Sequence, residues 1–280
     1  MQQDETIRRE IENMLRQKIG LNPDSVGSRS ILRAVKRGMR TGKMQGLSDY
    51  WSSLNDSSSS FSSLVDAVVV PETSFFRNRA SFVFLRQWVS QYKGRETPLR
   101  VLSLPCSTGE APYSIAIALL EEGLSFDDFH VDAVDISTPI IEKAKQGIYS
   151  PYAFRRQAYR DDDKYFSLGW PEGAARSNRA TQRYFLDASV REKVCFQQGN
   201  ILDPWLLSAQ PPYDIVFCRN LLTYFDAGAR DRAFKKIDQL LRPNGLLFVG
   251  HAENNMVDTH HYQPVPYPQT FAYIKHQQAA

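Results

Sequence analysis

One acid and one glycine-poor turn carry the first chemical signal in this chain. Asp135 closes the apolar run FHVDAVD, and a carboxylate at that place can accept hydrogen bonds from both hydroxyls of a ribose. Upstream, LSLPCSTGEAPYS contains a single glycine, Gly109, so there is no G-x-G-x-x-G cradle for a pyrophosphate. Further polar groups follow other apolar runs: Asn200 with Ile201, then Arg219, Asn220 and Tyr224, then His251, Glu253 and Asn254. The pattern suits a ligand with an adenosine end and no diphosphate. Of the five histidines, His260 and His261 are adjacent rather than a helical turn apart, so no metal site is expected. Cys106, Cys195 and Cys218 show no C-x-x-C spacing and are expected to be small buried hydrophobes.

Those groups sit where short apolar runs end. LRVLSL, FHVDAVDIS, VCFQQGNI, YDIVFCRN and GLLFVGH read as strands. Helical patterns separate them: through Ile115 to Leu119, around Ile140 to Lys145, and from Ala229 to Leu241, the last stopped by Pro243-Asn244-Gly245. Such alternation predicts an α/β fold with a mostly parallel, doubly wound sheet, closed by YQPV and TFAYIK as an antiparallel pair. Ligands of such sheets lie outside the carboxyl ends of the strands, where the polar groups fall. With a ribose acceptor and no phosphate cradle, S-adenosylmethionine suits these ends better than NAD.

The chain has 280 residues, 42% hydrophobic and 23% charged, which excludes a disordered or collagen-like polymer. A net charge of +3 is too small to imply nucleic-acid binding. No apolar run approaches a membrane span, and no signal-peptide core is seen, so a cytoplasmic protein is expected.

Residues 1–92 are expected to form a helical domain with a linker, and residues 93–280 the α/β domain. Ile7, Ile11, Met14, Leu15 and Ile19 keep a helical period up to Gly20. A second stripe, Ile31, Leu32, Val35 and Met39, shares its helix with Arg29, Arg33, Lys36, Arg37, Arg40 and Lys43. Two readings stand for this basic face: a solvated surface, or a docking surface for something acidic. The Ser-rich run from Asp56 to Ser63 reads as a loop or helix boundary. Residues 147–194, with Asp161 to Asp163, GWPEG and RATQRYF, are too long for a simple crossover and read as an inserted substructure.

Taken in order, PETSFFR, CSTGEAPYSIA, DIS with GIY, GNI, FCRNLLTYFD and LLRPNGLLFVGHAEN resemble the chemotaxis receptor methyltransferases, the CheR family. The likeness runs in register from about residue 10 to residue 275. It implies a Rossmann-like class I S-adenosylmethionine methyltransferase domain, an N-terminal helical domain and a small inserted β-subdomain. The implied activity is methyl transfer to glutamates on the cytoplasmic helical bundle of a chemoreceptor, giving glutamyl methyl esters and S-adenosylhomocysteine. Some members grip a receptor-tail peptide with the β-subdomain. The implied partner is therefore a receptor bundle, with no nucleic acid and no membrane insertion, and the protein is expected to be a monomer.

Carried over by motif, Thr73 and Arg77 belong to the cofactor and active-site loop. Glu110 matches the acid that binds the methionine amino group, and Asp135 the ribose acid. Asn200 and Ile201 match the pair beside the adenine. Arg219, Asn220 and Tyr224 match the loop under the methyl group. Two positions depart from the pattern: Pro71 replaces the first Asn of N-x-T-x-F-F-R, and Ala111 the second Glu after STGE. The PETSFFR form resembles members serving chemotaxis-like pathways with other outputs, such as biofilm control.

A glutamate carboxylate, with a pKa of about 4.3, is already a nucleophile at neutral pH. The chemistry then rests on positioning rather than on a general base. Arg77 is expected to hold the second carboxylate oxygen through its guanidinium fork, and Tyr224 to line the methyl channel. Phe75 and Phe76 are expected to pack the loop, and Glu253 and Asn254 to brace the site. The competing readings are a methyltransferase with another substrate and a catalytically silent cofactor-binding scaffold.

Overall fold

Helices come first along the chain. In α1 (Gln2–Ile19), Ile7, Ile11, Met14 and Leu15 are buried along one side, and Gly20, at φ 72°, follows its end. Asn22 caps α2 (Pro23–Val26), its side-chain oxygen accepting from the Asp24 N–H. α3 (Ser28–Thr41) buries Ile31, Ala34 and Val35. α4 (Leu47–Asp56) and α5 (Ser58–Val68) meet within the Ser-rich run, which is a helix boundary, with the Ser57 hydroxyl accepting from the Ser60 N–H. α6 (Arg79–Val89) follows. Leu15, Val35, Leu54 and Leu64 share one apolar core, against which Ile136 and Tyr224 also pack. The computed structural model describes residues 2–69, 72–92, 96–154, 164–171 and 181–277. Pro71, Asp161 to Asp163 and parts of the GWPEG and RATQRYF stretches lie outside the described residues.

The main sheet is built from β1 (Leu99–Leu104), β2 (Phe129–Asp135), β6 (Val194–Gln198), β7 (Tyr213–Cys218), β8 (Leu241–Val249), β9 (Tyr262–Pro264) and β10 (Ala272–Lys275). Its order is β6-β2-β1-β7-β8-β10-β9. The first five are mutually parallel, and β10 runs antiparallel to both β8 and β9. Strand order reverses between β1 and β7, which opens a crevice at their carboxyl ends. Every residue of β7 is buried, as both faces of a central parallel strand require. α7 (Glu110–Glu121), α8 (Thr138–Gln146) and α10 (Ala227–Leu240) link the strands.

Three local expectations need correction. Cys106 and Cys218 are buried, but Cys195 is exposed, because β6 is an edge strand of the main sheet. Lys43 does not share the helix of the other basic residues: α3 ends at Thr41, and Lys43 lies in the following turn at φ 52°. The cause is Gly42, whose N–H bonds back to Gly38 and Arg40 and closes the helix. Nor does Pro243-Asn244-Gly245 stop α10. Leu241 is already extended and opens β8, paired with Tyr213 of β7, so the helix ends at Leu240 and the three residues lie within the strand, at a shift in its register.

Between α8 and β6 the chain makes a separate antiparallel sheet of β3 (Ile148–Tyr149), β4 (Phe166–Gly169) and β5 (Arg183–Leu186), in the order β3-β5-β4. Phe75, only 3% exposed, fixes the 72–78 loop to this sheet. Its ring lies 4.7 Å from Tyr149, 4.8 Å from Phe154 and 5.0 Å from Phe166. Phe76 packs edge-on to Phe82. Both phenylalanines therefore pack the loop, as expected.

Candidate active site

A cavity opens at the crevice between β1 and β7. Thr73, Arg77, Asp135, Asn200, Ile201, Arg219, Asn220 and Tyr224 all line it. Glu110 does not: it lines an adjoining cleft beneath the small sheet, which shares Glu72 and Thr73 with the cavity.

The turn after β1 begins the site. Gly109 sits at φ 95°, and a Cβ there would stand 2.9 Å from the Tyr113 ring and 2.9 Å from the Tyr149 hydroxyl. Only glycine lets the chain pass so closely into α7. Glu110 opens that helix, almost fully buried, and accepts the Thr108 hydroxyl at 2.7 Å. Burial raises its pKa, partly offset by that hydrogen bond. Asp135 ends β2 with one oxygen on the Ser107 N–H at 2.8 Å and the other on the Ser137 N–H at 3.1 Å. A carboxylate offers about four acceptor sites, so capacity remains beyond these bonds. Burial raises this pKa too, against the pull of the backbone N–H groups.

The loop after β7 is built around cations. Arg219 donates to the backbone carbonyl of Arg77 at 2.6 Å, and Arg77 donates to the carbonyl of Glu72 at 2.9 Å. Neither guanidinium has an ion-pair partner among the described residues. Burial, reinforced by the neighbouring charge of Arg77, pushes Arg219 down to about 10. Two cations that make no ion pair among the described residues favour an anionic guest at their end of the cavity.

The opposite wall comes from the helices. Ile19, Leu21, Val26, Val68 and Val69 line the cavity, and sequence reasoning missed all five. No local pattern separates them from ordinary helix-core residues. They are delivered by long-range contacts: Leu21 bridges to Phe225, and the Tyr224 carbonyl accepts from the Asn22 N–H at 2.7 Å and from the Ser25 hydroxyl at 3.2 Å. Asn200 serves this join, donating to the Lys18 carbonyl at 2.8 Å and accepting from the Leu202 N–H at 3.0 Å. Its amide keeps one free N–H for the cavity.

Arg29, Arg33, Lys36, Arg37 and Arg40 are exposed on α3, within an arc of about 100° at 3.6 residues per turn. With Lys43 they make no ion pair among the described residues. α3 starts two residues after Val26, a wall of the cavity. Away from the site, His130, Asp132 and Cys195 stand together, but the Asp132 carboxylate is committed to His130 at 2.9 Å, Tyr213 at 2.8 Å and Arg100 at 3.2 Å. Among the described residues, no helix is long and apolar enough to cross a membrane.

A family model described as the CheR methyltransferase, SAM binding domain, matches residues 71–271. The chain is 42% identical over 271 residues to a probable biofilm formation methyltransferase, WspC, of Pseudomonas aeruginosa, covering 96% of this chain and 62% of that protein. It is 40% identical to the WspC of Pseudomonas putida, covering 94% of this chain and 60% of that protein. The chain thus spans about three fifths of the length of these two relatives. Chemotaxis protein methyltransferase 2 of Pseudomonas aeruginosa is 32% identical over 228 residues, covering 81% of this chain and 78% of that protein.

Proposed function

The chain belongs to the CheR methyltransferase family, and from that premise we propose that it moves methyl groups from S-adenosylmethionine to glutamate side chains of a chemoreceptor-type signalling protein. The products are glutamyl methyl esters and S-adenosylhomocysteine. One observation carries the reading: a single cavity joins a strand-end carboxylate, Asp135, to two unpaired guanidiniums, Arg77 and Arg219. The first suits a ribose and the second pair suits a carboxylate substrate.

The residues present fit the cofactor. Asp135 has lone pairs for the ribose hydroxyls, and Ile136, Ile140 and Ile201 supply apolar surface for a purine. Asn200 stands beside that surface. Glu110 is assigned the methionine amino group, through the cleft that shares Thr73 with the cavity. When bound, S-adenosylmethionine supplies an electrophilic methyl group. Arg77 holds one oxygen of the incoming glutamate and leaves the other free to attack, while Tyr224 borders the approach. Arg219 fixes the Arg77 backbone and adds a second positive charge. No base is needed, because the nucleophile is already ionised.

The exposed α3 residues and Lys43 are assigned to capture of the acidic receptor bundle. Its negative charge is drawn to a stripe that makes no ion pair among the described residues. The likeness of this chain to the two WspC methyltransferases supports a chemotaxis-like pathway with a biofilm output.

Incubating the protein with labelled methyl donor and a cytoplasmic receptor fragment tests the proposal. Label released by mild base is the expected result, since esters hydrolyse readily. Base-stable label identifies another substrate, and no label identifies a scaffold; either result contradicts the reading.

A further inference from the structure

Glu253 is the most completely enclosed carboxylate near the site, and it is not itself among the residues that line the cavity. It is 0% exposed. Its Oε2 accepts the N–H groups of Asn220 at 2.8 Å and Gly250 at 2.6 Å. Its Oε1 accepts those of Leu221 and Leu222, both at 2.7 Å. Four backbone donors thus converge on one side chain from two loops, one after β7 and one after β8. Only an acceptor-only group with two oxygens satisfies all four.

The clamped loop is the one that carries the site. Arg219 directly precedes it, and Asn220 lines the cavity in the left-handed region, at φ 61°. That conformation is sparsely populated for residues with a Cβ, so it persists only where surroundings impose it. Tyr224 ends the same turn, its N–H bonded to the Leu221 carbonyl at 3.0 Å. Gly250 is the second half of the device: a Cβ there would stand 2.7 Å from Glu253 Oε2 and 3.1 Å from the Asn220 nitrogen. The two loops approach this closely only without that atom.

We infer that Glu253 is a positioning residue for methyl transfer: through four backbone hydrogen bonds it fixes Arg219, Asn220 and Tyr224 in the geometry of reaction without touching substrate or cofactor. This rests on the methyltransferase reading above. Ribose and adenine contacts are assigned to other loops, at Asp135, Asn200 and Ile201, so loss of the clamp is felt in turnover more than in binding.

The test is Glu253→Gln, which keeps size but replaces one oxygen by an NH2 that faces N–H donors. Single-turnover methylation per binding-competent site is followed, with sites counted by S-adenosylhomocysteine calorimetry. A misplaced reacting group costs about 100-fold, so kcat falls by that order while the receptor KM and cofactor Kd stay within about threefold. Glu253→Asp, which retains both oxygens, recovers part of the rate. Gly250→Ala, tested alongside, lowers kcat in the same pattern and serves if Glu253→Gln does not fold. A wild-type rate per site in Glu253→Gln or Gly250→Ala, with only the number of sites reduced, shows a merely structural role and overturns the inference. A wild-type protein that methylates no receptor overturns the functional reading instead.

Discussion

The strand-end loops and the basic helix both present cations, yet they are held in opposite ways. Arg219 is half-buried, bonded to the Arg77 backbone and followed by a turn whose Asn220, Leu221 and Leu222 N–H groups all donate to Glu253. Arg33, Arg37 and Arg40 are exposed on α3, where Arg33 donates to the Ser30 hydroxyl at 3.1 Å. Fixed, desolvated charge acts strongly over a short distance and suits chemistry. Loose, hydrated charge acts weakly over about 8 Å at physiological salt and suits capture. Under the proposed function, the difference assigns the same residue type to turnover in one place and to encounter in the other.

Arg77→Ala strikes the chemical side hardest. Losing the fork that orients the substrate carboxylate should lower kcat by about 100-fold, with S-adenosylhomocysteine affinity little changed. Lys at this position should restore only part, because an ammonium lacks the planar pair of donors. Near-normal single-turnover methylation by Arg77→Ala would assign Arg77 to structure alone.

Asp135→Ala comes next. Removing charge-assisted hydrogen bonds of about 1.5–3 kcal/mol should weaken S-adenosylhomocysteine binding by about 10- to 100-fold in calorimetry. Unchanged affinity would move the ribose elsewhere. Its pH dependence sharpens the point. Burial raises the Asp135 pKa in the folded protein, and the ionised form is the one that accepts from both hydroxyls. Affinity is therefore full above that raised pKa and falls as pH drops through it, starting above the usual carboxylate range of about 4. Asp135→Asn should remove this fall; an unchanged acid limb would place its cause in another group.

Much of this was legible in the sequence, and what was not has a physical reason. Alternating strands and helices, and the polar groups at strand ends, follow from local pattern, so Asp135, Arg219 and Asn220 were found directly. Thr73 and Arg77 came from a motif, because nothing local tells a loop arginine of an active site from one in a surface ion pair. Leu21, Val26 and Val68 were missed because their place in the cavity is set by contacts across the whole chain, such as Leu21 with Phe225. Lys43 was misplaced because periodicity continued across Gly42, where backbone hydrogen bonds end the helix. Glu253 was seen as a brace, but the number of donors it gathers depends on two loops meeting in space.

The smallest expected effect lies on α3. Reversing Arg33, Arg37 and Arg40 to Glu should raise the receptor KM on the order of tenfold at low salt and less at high salt. Cofactor affinity should not change. Normal KM at low salt would make the stripe a solvated face and turn attention to the inserted sheet.

The split between capture and chemistry is tested most directly by combining that triple variant with Arg77→Ala and measuring kcat and KM for receptor methylation across a salt series. Independent regions predict that the combined protein shows the KM of the triple variant and the kcat of Arg77→Ala, with salt acting on KM alone. A fall in saturated kcat from the α3 reversals themselves, persisting at high salt, would contradict the account and place the basic helix inside the catalytic machinery.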